Sequence, residues 1–251
     1  MVTAITRAIP DSFVDAIRRD PRPINLAKAR RQHQAYVQVL SQLVDEVVEL
    51  DADERYPDCV FVEDAAVVAE GHALLARSGH PARRGETGPV RRAVEGMGLT
   101  LHDVPEPATL DGGDVLRVGD TLYVGRSGRT NGEGVAAVAR VFGPLGLSVV
   151  PVAVEGLHLK STCSSPIDTV VLVAPHTVSP ERFDAKHVIV VPEDEAHGAN
   201  AVGHDATVVI AGGCPTLRRA LEELGLQVLE VGTSEVRKAD GALTCCSIIV
   251  R

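Results

Sequence analysis

Tryptophan is absent from the 251 residues, and only three tyrosines and four phenylalanines occur. A core of ordinary size therefore has to be built from Val, Leu, Ala and Ile. No Cys-x-x-Cys pair is present among the five cysteines, Cys59, Cys163, Cys214, Cys245 and Cys246, which argues against a zinc ribbon. Their number is odd, and the adjacent Cys245 and Cys246 are poorly placed to pair with each other, so a disulfide framework is not expected. No apolar run approaches the 18 residues of a membrane-spanning helix, and the start, "MVTAITRAIP", lacks the long apolar stretch of a secretory leader. There is no phosphate-binding Gly-x-x-x-x-Gly-Lys loop and no Gly-x-Gly-x-x-Gly. "LDGGDV" (110–115) has the glycines of an anion nest but also two acids that would repel phosphate. The net charge of −9 lacks the basic footprint of a nucleic-acid binder. The expectation is a reduced, soluble, cytoplasmic protein with no nucleic-acid or membrane partner.

What is present is a repeat. Helical periodicity runs over "INLAKARRQHQAYVQVLSQLVDEV" (24–47), "GPVRRAVEGMG" (88–98), "GEGVAAVARVFGPLG" (132–146) and "PTLRRALEELG" (215–225). The last three end in Gly-Leu followed by a strand-like run, as a left-handed glycine cap requires. A further strand, "HVIVVPE", follows a weaker segment near 180–186. After each such strand come a loop, a polar element and two apolar runs split by a turn. The set is "FVEDAAVVAEGHALLA", "LDGGDVLRVGDTLYVG", "LHLKSTCSSPIDTVVLVA", "GANAVGHDATVVIAG" and a truncated "LTCCSIIVR". A spacing of roughly 35–50 residues is that of internal structural repeats. The N-terminal "TAITRAI" is the expected partner for the truncated unit and would close a ring of five within one domain, residues 1–251.

Unusual polar residues fall at one phase of the repeat: Asp58, Glu63 and Asp64; Asp111 and Asp114; His158 and Lys160; Asn200; and Cys245. In a ring these positions converge on the axis. Taken singly, each also fits a solvated strand end or a packed core residue. A thiol needs a base or cation beside it to act as a nucleophile at neutral pH. His158 is a candidate for that partner, and Asp111 for the acid that orients the imidazole. Glu63 and Asp64 sit in an apolar stretch, where buried carboxylates need cationic partners. A guanidinium ligand would satisfy them, and so would an internal ion pair with Arg126 or Arg129. The arginine-bearing loops "ARRGE" and "GRSGRTN" suit a carboxylate ligand or plain solvent.

Taken together and in order, "PDCVFVEDAAVV", "LDGGDVL", "RTN", "PVAVEGLHLKSTCS" and "DGALTCCS" resemble dimethylarginine dimethylaminohydrolase, a family of guanidine-modifying enzymes. The resemblance covers essentially the whole chain. It implies a five-bladed α/β propeller of ββαβ units around a central site. It implies Cys245 as nucleophile, His158 as acid and base, and Asp111 as orienting acid. It places Glu63 and Asp64 at the guanidinium, Arg83 and Arg129 at the substrate carboxylate, and Asp58 near the amino group. Backbone contacts follow around Ile17, in a lid, and Ala239. Cys246 would lie on the opposite face of a strand from Cys245. The implied reaction converts Nω-methylated L-arginine to L-citrulline and an alkylamine through a covalent thiouronium, with no cofactor or metal. A monomer or homodimer is expected. An arginine deiminase of the same superfamily is the nearest alternative. Its members typically run longer and carry Asp where this chain has Lys160. A non-enzymatic propeller binding arginine-like ligands is the alternative of another class.

Overall fold

Four β-hairpins and one antiparallel pair made by the two chain ends, each extended by a parallel outer strand, give five three-stranded sheets in a computed structural model that describes residues 1–251. The strands are β1 (Thr3–Arg7), β2 (Glu46–Leu50), β3 (Ala66–Ala69), β4 (His72–Leu75), β5 (Thr100–Asp103), β6 (Val115–Val118), β7 (Thr121–Arg126), β8 (Ser148–Ala153), β9 (Cys163–Ile167), β10 (Val170–Val173), β11 (His187–Val190), β12 (Val202–His204), β13 (Thr207–Ala211), β14 (Gln227–Val231) and β15 (Ile248–Val250). The sheets are β15-β1-β2, β3-β4-β5, β6-β7-β8, β9-β10-β11 and β12-β13-β14. In every sheet the inner strand is antiparallel to the middle one, and the middle strand is parallel to the outer. The first sheet is assembled from both ends of the chain, with Thr3 opposite Val250 and Ile5 opposite Ile248. Inner strands of neighbouring blades lie side by side: β15 by β3, β6 by β9, β9 by β12. The result is the five-bladed α/β propeller implied by the sequence.

Helices α1 (Leu26–Leu40), α2 (Thr87–Gly96), α3 (Gly132–Phe142) and α4 (Pro215–Glu223) cross from middle to outer strands, and the short α5 (Ser234–Lys238) follows β14. Gly98, Gly146 and Gly225 take left-handed φ of 78, 92 and 81°, the stop signal read in the sequence. Between β3 and β4 the turn residues Glu70 and Gly71 both have positive φ, 51 and 71°, the geometry whose twist matches a two-residue hairpin. Two boundaries depart from the sequence reading. The first helix stops at Leu40, not Val47, because the β-branched Val47 and Val48 pair with Ala4 and Ile5 of β1. In the fourth blade the crossover holds only a single 3₁₀ turn, Pro180–Arg182.

Aliphatic side chains from adjacent blades fill the seams. Leu74, Leu122 and Phe142, all essentially inaccessible, meet between the second and third blades. Leu172, Ile210 and Leu217 do the same between the fourth and fifth. Each such side chain contributes roughly 1.5–3 kcal/mol by leaving water. These seams fix the blades rigidly around the axis, which is where the polar residues gather.

Candidate active site

A 3₁₀ turn precedes each inner strand: Val62–Ala65, Gly112–Asp114, Leu159–Ser161, Glu193–Ala199 and Thr244–Cys246. These turns are the polar phase of the repeat. The first, second, third and fifth adjoin one another at the hub, the first against both the second and the fifth. Asp111 and His158 are the residues immediately before the second and third turns, both with extended backbone. The chain thus changes direction where its functional side chains point inward.

His158 is 4% exposed and its Nε2 lies 3.0 Å from Asp111 Oδ2. Asp111, wholly buried, also accepts from the Gly79 N–H at 3.1 Å and from Arg129 Nη1 at 3.3 Å. On the other side of the ring, Nδ1 is 3.7 Å from Asp64 Oδ1. Burial works against a charged imidazole here, but the Asp64 charge, the Asp111 hydrogen bond and the further charge of Asp114 outweigh it. They hold the His158 pKa up at about 9, so the ring is an imidazolium at neutral pH. Conversely, His158 and Arg83 overcome burial at Asp64 and keep its carboxyl below the usual range. The second glycine of "LDGG" makes this proximity possible. A Cβ on Gly113 would lie 2.7 Å from Asp64 Oδ1 and 2.8 Å from His158 Nδ1. Its N–H donates to Asp64 Oδ1 at 3.0 Å.

Cys245 is half-buried in the last turn, and Cys246 is buried. They do not occupy a strand, as the alternation argument had it. They lie in a 3₁₀ turn, where successive side chains diverge by about 120°. Cys246 packs into the apolar cluster under α1, with Sγ 3.5 Å from the Ala242 carbonyl. Burial pushes it up to about 12. Burial and the charges of Glu63 and Asp64 also push the Cys245 thiol well above its ordinary value.

The paired carboxylates have internal partners, though not Arg126 or Arg129. Glu63 Oε1 binds Lys160 Nζ at 2.7 Å and its Oε2 accepts from Thr244 at 2.8 Å. Asn200 donates to the same Thr244 hydroxyl at 3.0 Å and accepts from its N–H at 2.9 Å. Asp64 Oδ2 is 2.6 Å from Arg83 Nη1. Arg83 is held by several further protein groups. Its Nε and Nη2 grip Glu86 and its Nη2 also reaches the Asp58 and Phe61 carbonyls, so Nε, Nη1 and Nη2 all bond to protein. Arg129, by contrast, makes one long side-chain bond and keeps donors for a ligand. Glu86 escaped the sequence reading, although its i,i+3 spacing from Arg83 in "RRGE" was a visible signal.

Asp58 is buried, and burial, opposed by the Arg83 charge, raises its pKa. Its Oδ2 accepts from the Ile17 N–H at 3.1 Å, and Asp240 accepts from the Arg19 N–H at 2.9 Å. These two bonds pin the segment around Ile17, itself 37% exposed, to Asp58 and Asp240. Ala239 caps α5 beside it and is buried. Asp64, Asp111 and His158 bring three donor atoms within 4.8 Å of one another, close enough for a cation. The contacts of Arg83 and Arg129 with the same two carboxylates already supply positive charge there. The donor set fits a proton network better than a metal.

Fold and hub define an α/β propeller with a thiol, an imidazolium and paired carboxylates on its axis, under a pinned segment. Comparison with known proteins narrows this. A family profile described as "N,N dimethylarginine dimethylhydrolase, eukaryotic" matches residues 3–165. The dimethylarginine dimethylaminohydrolase of Streptomyces coelicolor is 41% identical over 225 residues, covering 89% of this chain and 86% of that protein. The one from Pseudomonas aeruginosa is 36% identical, covering 88% of each. A solved structure of the Pseudomonas aeruginosa protein, a Cys-to-Ser mutant complexed with citrulline, superposes with a TM-score of 0.93 at 34% identity and covers 98% of both chains. The chain belongs to the dimethylarginine dimethylaminohydrolase family.

Proposed function

We propose that this chain hydrolyses Nω-methylated L-arginine to L-citrulline and methylamine or dimethylamine. The observation that carries the reading is His158, held as an imidazolium between Asp111 and Asp64 at the hub that also presents Cys245. Burial and the charges of Glu63 and Asp64 disfavour a Cys245 thiolate. A bound guanidinium cation offsets those charges, so the thiolate forms when substrate arrives and its proton leaves the site. The thiolate attacks the guanidinium carbon. His158 gives its proton to the departing amine, leaving a thiouronium on Cys245. The neutral imidazole then takes a proton from water, the resulting hydroxide attacks the same carbon, and the thiolate is expelled as citrulline forms.

The substrate's other end fits the lid side. Asp58 takes the α-amino group, with the backbone around Ile17 and Ala239 beside it. Arg129 takes the α-carboxylate, while Arg83 fixes Asp64. The reading extends to one catalytic domain over residues 1–251, a cytoplasmic setting and a monomer or homodimer. No helix is long and apolar enough to cross a membrane.

The test is citrulline formation from asymmetric dimethylarginine, monomethylarginine and arginine at subsaturating concentration. Burial of two methyls contributes only ~0.8 kcal/mol each. Arginine adds N–H groups that an apolar wall leaves unpaired, at ~1–3 kcal/mol each. Methylated substrates are expected to exceed arginine by well over about tenfold in kcat/KM. Equal turnover of arginine would replace this reading with a deiminase.

A further inference from the structure

Below the hub, the propeller axis is hollow. A cavity of about 470 Å³ runs between the inner strands of all five blades, lined by Val68, Leu116, Ser165, Ala201 and Ile248 among others. Its far end is ringed by Glu70, Arg117, Asp168 and Arg251, whose side chains are 38–68% exposed, so it opens to solvent. Its near end is bounded by Glu63, Lys160 and Thr244. Those three form the floor of the hub: the Lys160–Glu63 ion pair at 2.7 Å and the Thr244–Glu63 bond at 2.8 Å, with Cys245 next in the chain.

We infer that this cavity is the route by which the alkylamine leaves. The inference rests on the proposed hydrolysis. In the first half-reaction the bond from Cys245 Sγ to the guanidinium carbon forms and the carbon–nitrogen bond to the amine breaks. The amine takes its proton from His158, and the rest of the substrate stays bonded to Cys245. The α-amino and α-carboxylate groups then still fill the mouth, under the segment pinned by the Ile17–Asp58 and Arg19–Asp240 bonds. The amine is released at the opposite end, beside the floor. It must depart before water can use the same space, and the mouth is occupied at that moment. The floor has two flexible members. Lys160 carries its ammonium on a four-carbon stem that can swing, and Glu63 can accept a hydrogen bond from the passing amine.

The test narrows the cavity away from the chemistry. Val68 lies on β3, half-buried, and lines the cavity beyond the turn that carries Glu63 and Asp64. The graded set Val68→Leu, Val68→Phe and Val68→Trp is expected to lower kcat progressively, by about tenfold or more at the largest, because release becomes limiting. The loss is expected to be greater with asymmetric dimethylarginine, which releases the bulkier amine, than with monomethylarginine. Alkylation of Cys245 by a small haloamidine, which expels no amine, is expected to keep its wild-type rate throughout. Unchanged kcat across variants that still alkylate normally overturns the inference. So does a loss that is equal for both substrates, or one that tracks a fall in alkylation, since either marks general damage. If wild-type protein forms no citrulline from methylarginines, it is the proposed hydrolysis that fails, a result distinct from all of these.

Discussion

Asp111 and His158 are 47 residues apart in the chain and 3.0 Å apart at the hub. The same carboxylate oxygen lies 3.3 Å from Arg129 Nη1. A single buried group therefore orients the imidazole and is itself held by the arginine proposed to take the substrate carboxylate. In the proposed reaction, binding and proton transfer share one oxygen.

That sharing sets a pH dependence. An imidazolium acting as an acid is available below its pKa, about 9, and lost above it. kcat/KM is expected to decline above about pH 9. Asp111→Asn removes a hydrogen-bonding charge that raises the pKa, so the alkaline limb should move to lower pH and the rate should fall roughly 10²–10⁴-fold. His158→Gly should stop turnover. A pH–rate profile of the three proteins is the measurement, and an Asp111→Asn limb that stays in place would remove the orienting role.

The two thiols should separate cleanly. Cys245→Ser is expected to abolish citrulline formation. Cys246→Ser should retain most of it, since its thiol packs beneath α1 and burial keeps it protonated up to about 12. Mass spectrometry after labelling with a haloamidine should find the adduct on Cys245 alone. Equal loss from both folded mutants would undo the assignment.

Arg83 is expected to act on stability as well as on turnover. Its guanidinium binds Asp64 and Glu86, and all three side chains are under 10% exposed. Arg83→Met leaves buried Glu86 without a cation and Asp64 with the His158 imidazolium alone, and breaking a buried pair typically costs about 3–5 kcal/mol. Urea unfolding would show it as a lower midpoint. Arg83→Lys should recover little, because one ammonium cannot serve a two-pronged contact and a second carboxylate together. A midpoint within experimental error of wild type would show that the network contributes nothing to the fold.

His33 supplies a second, independent pH effect. It is 6% exposed on the inner face of α1, its ring nitrogens have no hydrogen-bond partner, and burial depresses its pKa to about 4. Unfolded histidine takes up a proton near pH 6.5, so below that value the unfolded chain binds more protons than the folded one. Stability from this group is complete above pH 6.5 and falls as the pH drops towards 4. A shift of this size corresponds to roughly 3 kcal/mol. His33→Leu should flatten the unfolding free energy across that window, and an unchanged slope would count against the account.

Much of this architecture is legible in the sequence for a physical reason. Helix periodicity, glycine stops and two-residue turns are local signals, and their recurrence from blade to blade reinforces them. The phase that carries Asp111, His158 and Cys245 is visible because polar residues stand out before apolar strands. The end of α1 is less legible. "QLVDEVV" continues the helical pattern, and only pairing with β1, more than forty residues earlier, turns Glu46–Leu50 into a strand. The partners of Glu63 and Asp64 are harder still. Lys160 and Arg83 reach them across blades or from a loop, and nothing in local spacing prefers them to Arg126 or Arg129. The hollow axis leaves no mark in the sequence at all, because it is made of the gaps between strands.

The joining of β15 to β1 has a further consequence. Cys245 sits in the turn that leads into β15, so the strand that completes the ring also carries the proposed nucleophile to the hub. Until that last seam zips, the acid, the proton donor and the nucleophile belong to separate parts of an open chain. A half-folded molecule is therefore chemically silent, and the onset of catalysis during refolding would report closure of the circle rather than formation of any one blade.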